Sequence, residues 1–164
     1  MGSSGGAPMM QPAVMIRIAL LAFFALPAAA APPVADCDLV EGEMHSCSRV
    51  LACIGDDGTW FDGRAVGWDQ GLLTGRLDDG RSCGGVWYYT EDRYARAELI
   101  CEDGSAIGVD YTAQDAPSGT GIGTGTTSDG RAVEAWTGEN VLDYLSEDRG
   151  RPVLPCGVMG IPIS

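Results

Sequence analysis

Four of the five Asp-Gly dipeptides in the chain are spaced almost evenly, and this spacing most constrains what the sequence can fold into. They are Asp57-Gly58, Asp79-Gly80, Asp103-Gly104 and Asp129-Gly130, at spacings of 22, 24 and 26 residues. Asp-Gly is a strong hairpin signal, because a tight turn between two strands needs positive φ at a central residue. An aromatic residue follows each of the last three turns: Trp87, Tyr111 and Trp136. The pattern predicts an internal repeat of β-hairpins, centred on residues 71–87.

The segments between these turns are typical of short β-strands. Several alternate large with small or polar residues, which is the period of a half-buried strand. We expect strands over residues 60–68, 72–77, 82–89, 94–101, 106–112, 120–127 and 131–137, and either a strand or a helical turn over 46–54. The predicted fold is all-β, an antiparallel meander of six to eight short strands that forms a curled sheet or a partly open barrel.

The hairpin register follows from counting outward from each turn. A two-residue turn at Asp129-Gly130 would place Gly123 opposite Trp136, and the same turn at Asp79-Gly80 would place Leu72 opposite Trp87. An indole over a strand glycine covers backbone that would otherwise pack poorly. One face of a predicted strand has no side chains, because glycine occupies every second position: Gly119, Gly121, Gly123 and Gly125.

The N-terminal segment is typical of a secretory signal peptide. Residues 15–31 combine a basic residue, Arg17, with an apolar run over 18–26 and small residues before Ala31. The apolar run is about half the length of a membrane span. We expect residues 1–14 to be an over-extended start and 15–31 to be removed. Residues 32–164 then form a single secreted β domain, with a hairpin-repeat core over 55–138 and a C-terminal tail over 146–164.

Six cysteines lie beyond the predicted cleavage site, and an even number in an exported chain indicates three disulfides. A five-residue loop over 90–94 would place Cys83 opposite Cys101, so we predict that bridge first. The remaining cysteines would most simply form a local bridge, Cys47–Cys53, and a clasp between the chain ends, Cys37–Cys156. No C-x₂-C spacing of the kind found in zinc sites is present.

The charge of the chain restricts its partners. All ten basic residues other than histidine are arginines, and with the abundant Ala and Gly this is typical of a GC-rich bacterial genome, which indicates the periplasm or the medium. Without Arg17, nine arginines against 23 acidic residues leave the mature chain at a formal charge of −14. Such a field repels nucleic acid and anionic membranes and favours a basic partner or cations.

The sequence contains no recognisable catalytic set. His45 is the single histidine, so a metal site or a Ser/His/Asp triad would have to rely on it alone. Carboxylate pairs stand at predicted turns, where acidic residues also serve solubility and turn geometry. We expect no enzyme activity and no cofactor; the alternatives are Ca²⁺ bound by the acidic turns and a glycan hydrolase that uses Glu98 or Asp110.

Residues 71–87 follow the pattern G-x₃-G-x-L-x-D-G-x₂-C-x-G-x-W. This resembles the MORN repeat, a β-hairpin unit with the pattern G-x₃-G-x-G, then D-G, then Y-x-G-x-W. Residues 119–136 and 98–111 resemble it more loosely. Leu77 replaces the family's usual glycine and Cys83 its usual tyrosine. The resemblance implies binding to proteins or lipids rather than catalysis.

Residues 101–111 follow the pattern C-x₂-G-x₄-V-x-Y, and Gly130 and Trp136-x-Gly138 come after them. This is similar to the periplasmic inhibitors of C-type lysozymes, which are small β-barrels stapled by a disulfide. The resemblance implies a basic lysozyme as partner, which an acidic chain would suit. Residues 128–131 depart from the serine-glycine loop of that family, so its binding residues are not carried over.

These observations favour an exported, non-catalytic β domain that binds a protein or another component of the cell envelope. A lysozyme-inhibitor-like protein and a small carboxylate-based glycan hydrolase are the alternatives. Aromatic side chains exposed on a sheet are frequent anchors in binding interfaces. The candidate binding surface therefore consists of the four tryptophans: Trp60, Trp68, Trp87 and Trp136.

Overall fold

Eight strands close into a barrel in the computed structural model, which describes residues 1–2, 37–92, 94–146 and 150–164. They are β1 (Cys47–Ile54), β2 (Thr59–Trp68), β3 (Gln70–Leu77), β4 (Ser82–Tyr89), β5 (Ala95–Cys101), β6 (Ala106–Asp115), β7 (Thr120–Thr127) and β8 (Ala132–Gly138). Each strand pairs antiparallel with the next, and β8 pairs with β1. The all-β meander is confirmed, and closure leaves no free strand edge in the barrel.

Alternate residues along the strands point into the barrel and form its core. The interior is buried and mostly aliphatic, and its members include Val50, Ile54, Phe61, Leu73, Leu77, Leu99, Ile107, Val109 and Val133. The glycine face of β7 points inward as well. A Cβ atom at Gly123 would lie 2.8 Å from the ring of Tyr111 on β6. The missing side chains of β7 therefore make room for larger ones from the neighbouring strand.

Three of the four Asp-Gly turns are three-residue loops rather than two-residue turns, and the turn at Asp57-Gly58 is a four-residue loop over residues 55–58. The Leu77 N–H donates to the Arg81 carbonyl and the Gly80 N–H to the Leu77 carbonyl, both at 2.9 Å. Gly80 has a φ of 90°. The Asp79 carboxylate accepts the Arg81 N–H at 3.0 Å, which favours a type I turn followed by a left-handed glycine.

The extra loop residue shifts both predicted registers by one position. Gly71, not Leu72, lies opposite Trp87, and Ile122, not Gly123, lies opposite Trp136, so these two predictions are wrong. An indole still covers a strand glycine, because a Cβ at Gly71 would lie 2.9 Å from Trp87 Nε1.

The meander places all four Asp-Gly turns at the same end of the barrel. They connect β1 to β2, β3 to β4, β5 to β6 and β7 to β8, so we call this the turn end. The opposite end, where residues 69, 90–94 and 116–119 connect the strands, is called the mouth. Successive Asp-Gly turns are separated by two strands and the connection between them at the mouth, which accounts for their near-constant spacing in the sequence.

Three disulfides include all six cysteines. Cys83–Cys101 lies inside the barrel in the predicted register, with Tyr89 opposite Ala95. The predicted pairs Cys47–Cys53 and Cys37–Cys156 are wrong, since the structure has Cys37–Cys47 and Cys53–Cys156 instead. Cys47 and Cys53 stand near opposite ends of the extended strand β1, about 20 Å apart at strand rise, which is beyond the reach of a disulfide.

The C-terminal tail packs on the outside of the barrel. It consists of α1 (Val141–Tyr144), β9 (Val153–Leu154) and β10 (Ile161–Pro162), and the Cys53–Cys156 bridge attaches it to β1. Leu154 of the tail packs in one buried cluster with Trp136 and Leu51. No helix among residues 37–92, 94–146 and 150–164 is long and apolar enough to cross a membrane. The predicted signal peptide and over-extended start fall almost entirely outside the described residues.

Candidate binding site at the barrel mouth

The barrel interior is filled near the turn end and open near the mouth. Ile54, Phe61 and Leu77 occupy the turn end, where the gap within the core is about 10 Å³. Toward the mouth the strands contribute small side chains: Ser48, Ala65, Gly67, Ala95, Gly121 and Thr137. They leave two adjoining cavities, an inner chamber of about 140 Å³ and an outer chamber of about 520 Å³.

Aromatic side chains form much of the chamber walls. Trp68, Trp87 and Tyr89 line the inner chamber. Trp68 and Tyr89 also line the outer chamber, together with Tyr94. Trp87 and Tyr89 stand at 85° to each other with ring centroids 5.9 Å apart. The Trp87 indole N–H also donates to the Val66 carbonyl at 3.4 Å. These contacts hold two ring planes at right angles on one side of the chamber.

Tyr111 separates the chambers from the packed core. Its side chain is 9% exposed and lines both chambers as well as the core gap. Burial raises the pKa of the Tyr111 hydroxyl, so the group is neutral throughout the physiological range. A β-bulge interrupts the β6–β7 ladder directly after Tyr111. The hydroxyl has no hydrogen-bond partner among the described residues.

A short segment before β1, residues 37–46, also borders the mouth; we call it the leader loop. Leu39 lines both chambers. The loop is fixed by the Cys37–Cys47 disulfide and by the Val40 N–H, which donates to Ser46 Oγ at 3.1 Å. The Ser46 carbonyl accepts the N–H of Gly67 on β2 at 2.9 Å. A segment that carries Asp38, Glu41 and Glu43 thus contributes an apolar wall through Leu39.

The four predicted tryptophans do not form one surface. Trp68 and Trp87 lie together at the mouth. Trp136 is 3% exposed beneath the C-terminal tail, and Trp60 packs against the same cluster. The prediction that Trp136 is exposed is therefore wrong. The C-terminal tail covers Trp136, and the Cys53–Cys156 disulfide that attaches the tail joins residues far apart in sequence.

The candidate catalytic and metal-binding residues His45, Glu98 and Asp110 do not line either chamber. His45 is largely exposed, and its Nδ1 is 3.8 Å from Glu43 Oε2. Among the described residues no three His, Cys, Asp or Glu side chains lie close enough to hold a metal ion. Glu98 and Asp110 share Arg96, which binds them at 2.9 and 2.7 Å and whose pKa is raised by these hydrogen bonds. They do not face each other across an aromatic groove.

The carboxylates of the Asp-Gly turns are engaged locally. The Thr59 N–H lowers the pKa of Asp57, and the Arg81 N–H lowers that of Asp79. Hydrogen bonds from Ser105 lower the pKa of Asp103. Their main partners are turn N–H and hydroxyl groups, which explains these acidic residues without a bound cation.

Sequence reasoning missed Tyr94, Tyr111 and Leu39 as residues of the site. Tyr111 was noted only as a repeat aromatic, and Leu39 and Tyr94 were not singled out. One signal was present on β2 and β5 but not on β4, where Trp87 and Tyr89 lie far from the turn. On β2 and β5 the inward residues near an Asp-Gly turn are bulky (Phe61, Leu99), whereas those far from it are small (Gly67, Ala95). Because the turns mark one barrel end, that gradient predicts an open cavity at the other.

No family model matches the chain, and no curated protein sequence matches it. A de novo designed fluorescence-activating β-barrel is similar in structure, with a TM-score of 0.44 and 16% identity over 56% of this chain and 88% of that chain. A redesigned β-barrel bound to DFHBI has a TM-score of 0.44 and 16% identity over 57% of this chain and 96% of that one. At these values neither likeness carries an argument about function.

Proposed function

We propose that the protein is an exported, non-catalytic β-barrel that binds a small molecule, or a small apolar group of an envelope component, in its mouth. The observation that supports this is the contrast within one barrel between a packed turn end and a pair of aromatic-lined chambers. A core that served stability alone would be filled at both ends, because empty apolar volume costs stability.

The size of the inner chamber suits a compact group. Its volume of about 140 Å³ is close to the roughly 150 Å³ at which an apolar cavity admits benzene. The outer chamber has space for the rest of a larger ligand and carries polar side chains such as Gln114 and Asn140. An apolar interior with a few polar groups at its entrance is the usual character of a ligand site.

A titration with N-phenyl-1-naphthylamine tests this proposal, because the probe is neutral and fluoresces in apolar sites. We expect saturable binding with one site per chain. Ala95→Phe fills the mouth and should abolish the signal, whereas Ala106→Phe adds the same ring on the outer surface and should not change it. Equal binding by both variants, or no saturable binding by the unmodified protein, would contradict the proposal.

Export of the chain is part of the same proposal. The three disulfides support an oxidising compartment, and the segment 15–31 has the features of a signal peptide. Intact-mass measurement on material from the native envelope should give an N-terminus near Ala31 and no free thiols. A chain that retains residues 15–31, or free thiols under denaturing conditions, would argue against export.

A further inference from the structure

The walls of the inner chamber define the kind of group that they can hold. Three aromatic side chains, Trp68, Trp87 and Tyr89, share a cavity of about 140 Å³ with the buried Tyr111. The ring planes of Trp87 and Tyr89 are at 85° to each other, so the two rings can contact one bound group from two directions. The faces of aromatic rings carry negative potential, and they attract a cation that lies within about 6 Å of the ring centroid.

The charges around the chambers have one sign. Asp69 lines the inner chamber and Glu139 the outer one. Arg96 also borders the inner chamber, but its guanidinium binds Glu98 and Asp110 on the outer surface. The described lining of the two chambers therefore holds carboxylates and no cation without an acidic partner. The formal net charge of the whole chain, −13, adds to the same field.

A neutral phenol in the lining of both chambers, Tyr111, suits a positive charge as well. The Tyr111 hydroxyl is neutral and lacks a protein partner among the described residues, so its oxygen lone pairs are available to the cavity. A ligand carboxylate or phosphate placed there would meet aromatic faces and nearby acidic side chains, which are unfavourable for an anion.

We infer that the inner chamber binds an alkylammonium group, quaternary or tertiary, by cation–π contact with Trp68, Trp87 and Tyr89. This inference rests on the mouth being a ligand site, as proposed above, and adds the charge and chemical class of the group bound. The group belongs either to a soluble molecule or to a lipid headgroup.

Choline and its neutral isostere 3,3-dimethyl-1-butanol separate charge from shape. The two differ by a nitrogen in place of a carbon, and calorimetric titration of the disulfide-intact protein measures both. We expect choline to bind about ten-fold more tightly, since a desolvated cation–π contact of this kind is worth that factor. Equal or tighter binding of the isostere would overturn the inference.

Two pairs of variants locate the effect. Tyr89→Leu removes a ring face from an exposed position and should weaken choline binding by about three-fold, while Tyr89→Phe keeps the face and should retain it. Asp69→Asn keeps the left-handed conformation that Asp69 adopts, at φ 65°, and removes its charge. It should weaken choline binding more than Asp56→Asn, which makes the same charge change at the turn end. Unchanged choline affinity in both Tyr89→Leu and Asp69→Asn would overturn the inference.

Vesicles of phosphatidylcholine, with phosphatidylglycerol vesicles as the control, distinguish the two sources of the ammonium group. Co-sedimentation with phosphatidylcholine alone indicates a lipid headgroup, and choline binding without co-sedimentation indicates a soluble ligand; both support the inference. If the naphthylamine probe binds and no ammonium compound competes with it, the inference fails while the proposed function stands. If the probe also fails to bind, both fail.

Discussion

At the scale of single residues, glycine on the inward face of a strand allows neighbouring strands of the barrel to approach closely. On β4, Gly84 and Gly85 are neighbours in sequence but face opposite sides of the sheet. A Cβ atom at Gly85 would come within 1.9 Å of the Glu98 carbonyl oxygen, whereas one at Gly84 would lie 3.9 Å from the nearest atom. Gly85, which faces inward, therefore allows the backbones of β4 and β5 to approach each other, whereas Gly84, which faces outward, is not needed for a close approach.

Alanine at these two positions should have different effects on stability. We expect Gly85→Ala to lower the free energy of unfolding by about 1–3 kcal/mol, because the strands must move apart. Gly84→Ala should be neutral or slightly stabilising, because it restricts the unfolded chain without a clash. Urea denaturation of both variants measures the difference. Equal free energies would show that the barrel accommodates the methyl group freely.

The turn aspartates should make stability depend on pH. Hydrogen bonds from Ser105 depress the pKa of Asp103, so its contribution is present above the unfolded pKa of about 3.9 and is lost as pH falls through the folded pKa. We expect Asp103→Asn to be less stable than the unmodified protein at pH 7 and nearly equal to it at pH 2. Asp56→Asn makes the same change of charge at the Asp57-Gly58 turn and controls for the loss of one negative charge.

At the scale of elements, the leader loop is the part of the mouth that a covalent change can release. Cys37 and Cys47 are partly exposed, whereas the other four cysteines are buried in the barrel or beneath the tail. Leu39 lies between Cys37 and Cys47 in sequence and lines both chambers. The exposure of this bridge and its place next to the mouth link the redox state of one disulfide to the shape of the site.

Mild reduction should open the Cys37–Cys47 bridge first. Alkylation followed by peptide mass spectrometry should label these two cysteines while the other four remain unlabelled. In the double variant Cys37→Ser/Cys47→Ser, binding of the naphthylamine probe should weaken by about five-fold, as expected for the loss of part of one leucine contact. Simultaneous labelling of all six cysteines would contradict the expected order.

At the scale of the whole molecule, one bridge ties the two ends of the fold together. Cys53 lies on β1 and Cys156 in the tail, 103 residues later, and the bridge holds the tail over Trp136 and Leu51. The Cys37–Cys47 bridge spans 10 residues. In the chain-entropy description, closing the longer loop restricts the unfolded chain more.

Removing the two bridges should therefore cost different amounts of stability. We expect Cys53→Ala/Cys156→Ala to lower the free energy of unfolding by about 4–5 kcal/mol and Cys37→Ala/Cys47→Ala by about 2–3 kcal/mol. Guanidinium denaturation of the two double variants measures both values. A larger loss from the shorter loop would show that packing of the leader loop outweighs chain entropy.

The charge of the whole molecule leads to a prediction about protein partners. Any protein that binds this domain specifically should be basic, and added salt should slow its association more than its dissociation. Lysozyme is a convenient first partner for surface plasmon resonance over a range of salt concentrations. Enrichment of an acidic partner from the native envelope, with an affinity independent of salt, would defeat this expectation.

Local chemistry alone determined much of this fold. Asp-Gly turns and alternating strands predicted an all-β meander, the bounds of β4 and β7, and the Cys83–Cys101 bridge, because each depends on residues close together in sequence. The register at Asp79-Gly80 was wrong by one position, since an aspartate that accepts its own turn's N–H favours a three-residue loop.

Only the tertiary structure decided which residues meet at the site. Closure of β8 onto β1 brings the inward residues of separate strands around one cavity at the mouth. The Cys53–Cys156 clasp buries Trp136, while Trp68 and Trp87 come together with Tyr111 from β6. Each of these contacts joins residues far apart in the chain. Their formation depends on strand order and curvature, which no short stretch of sequence encodes.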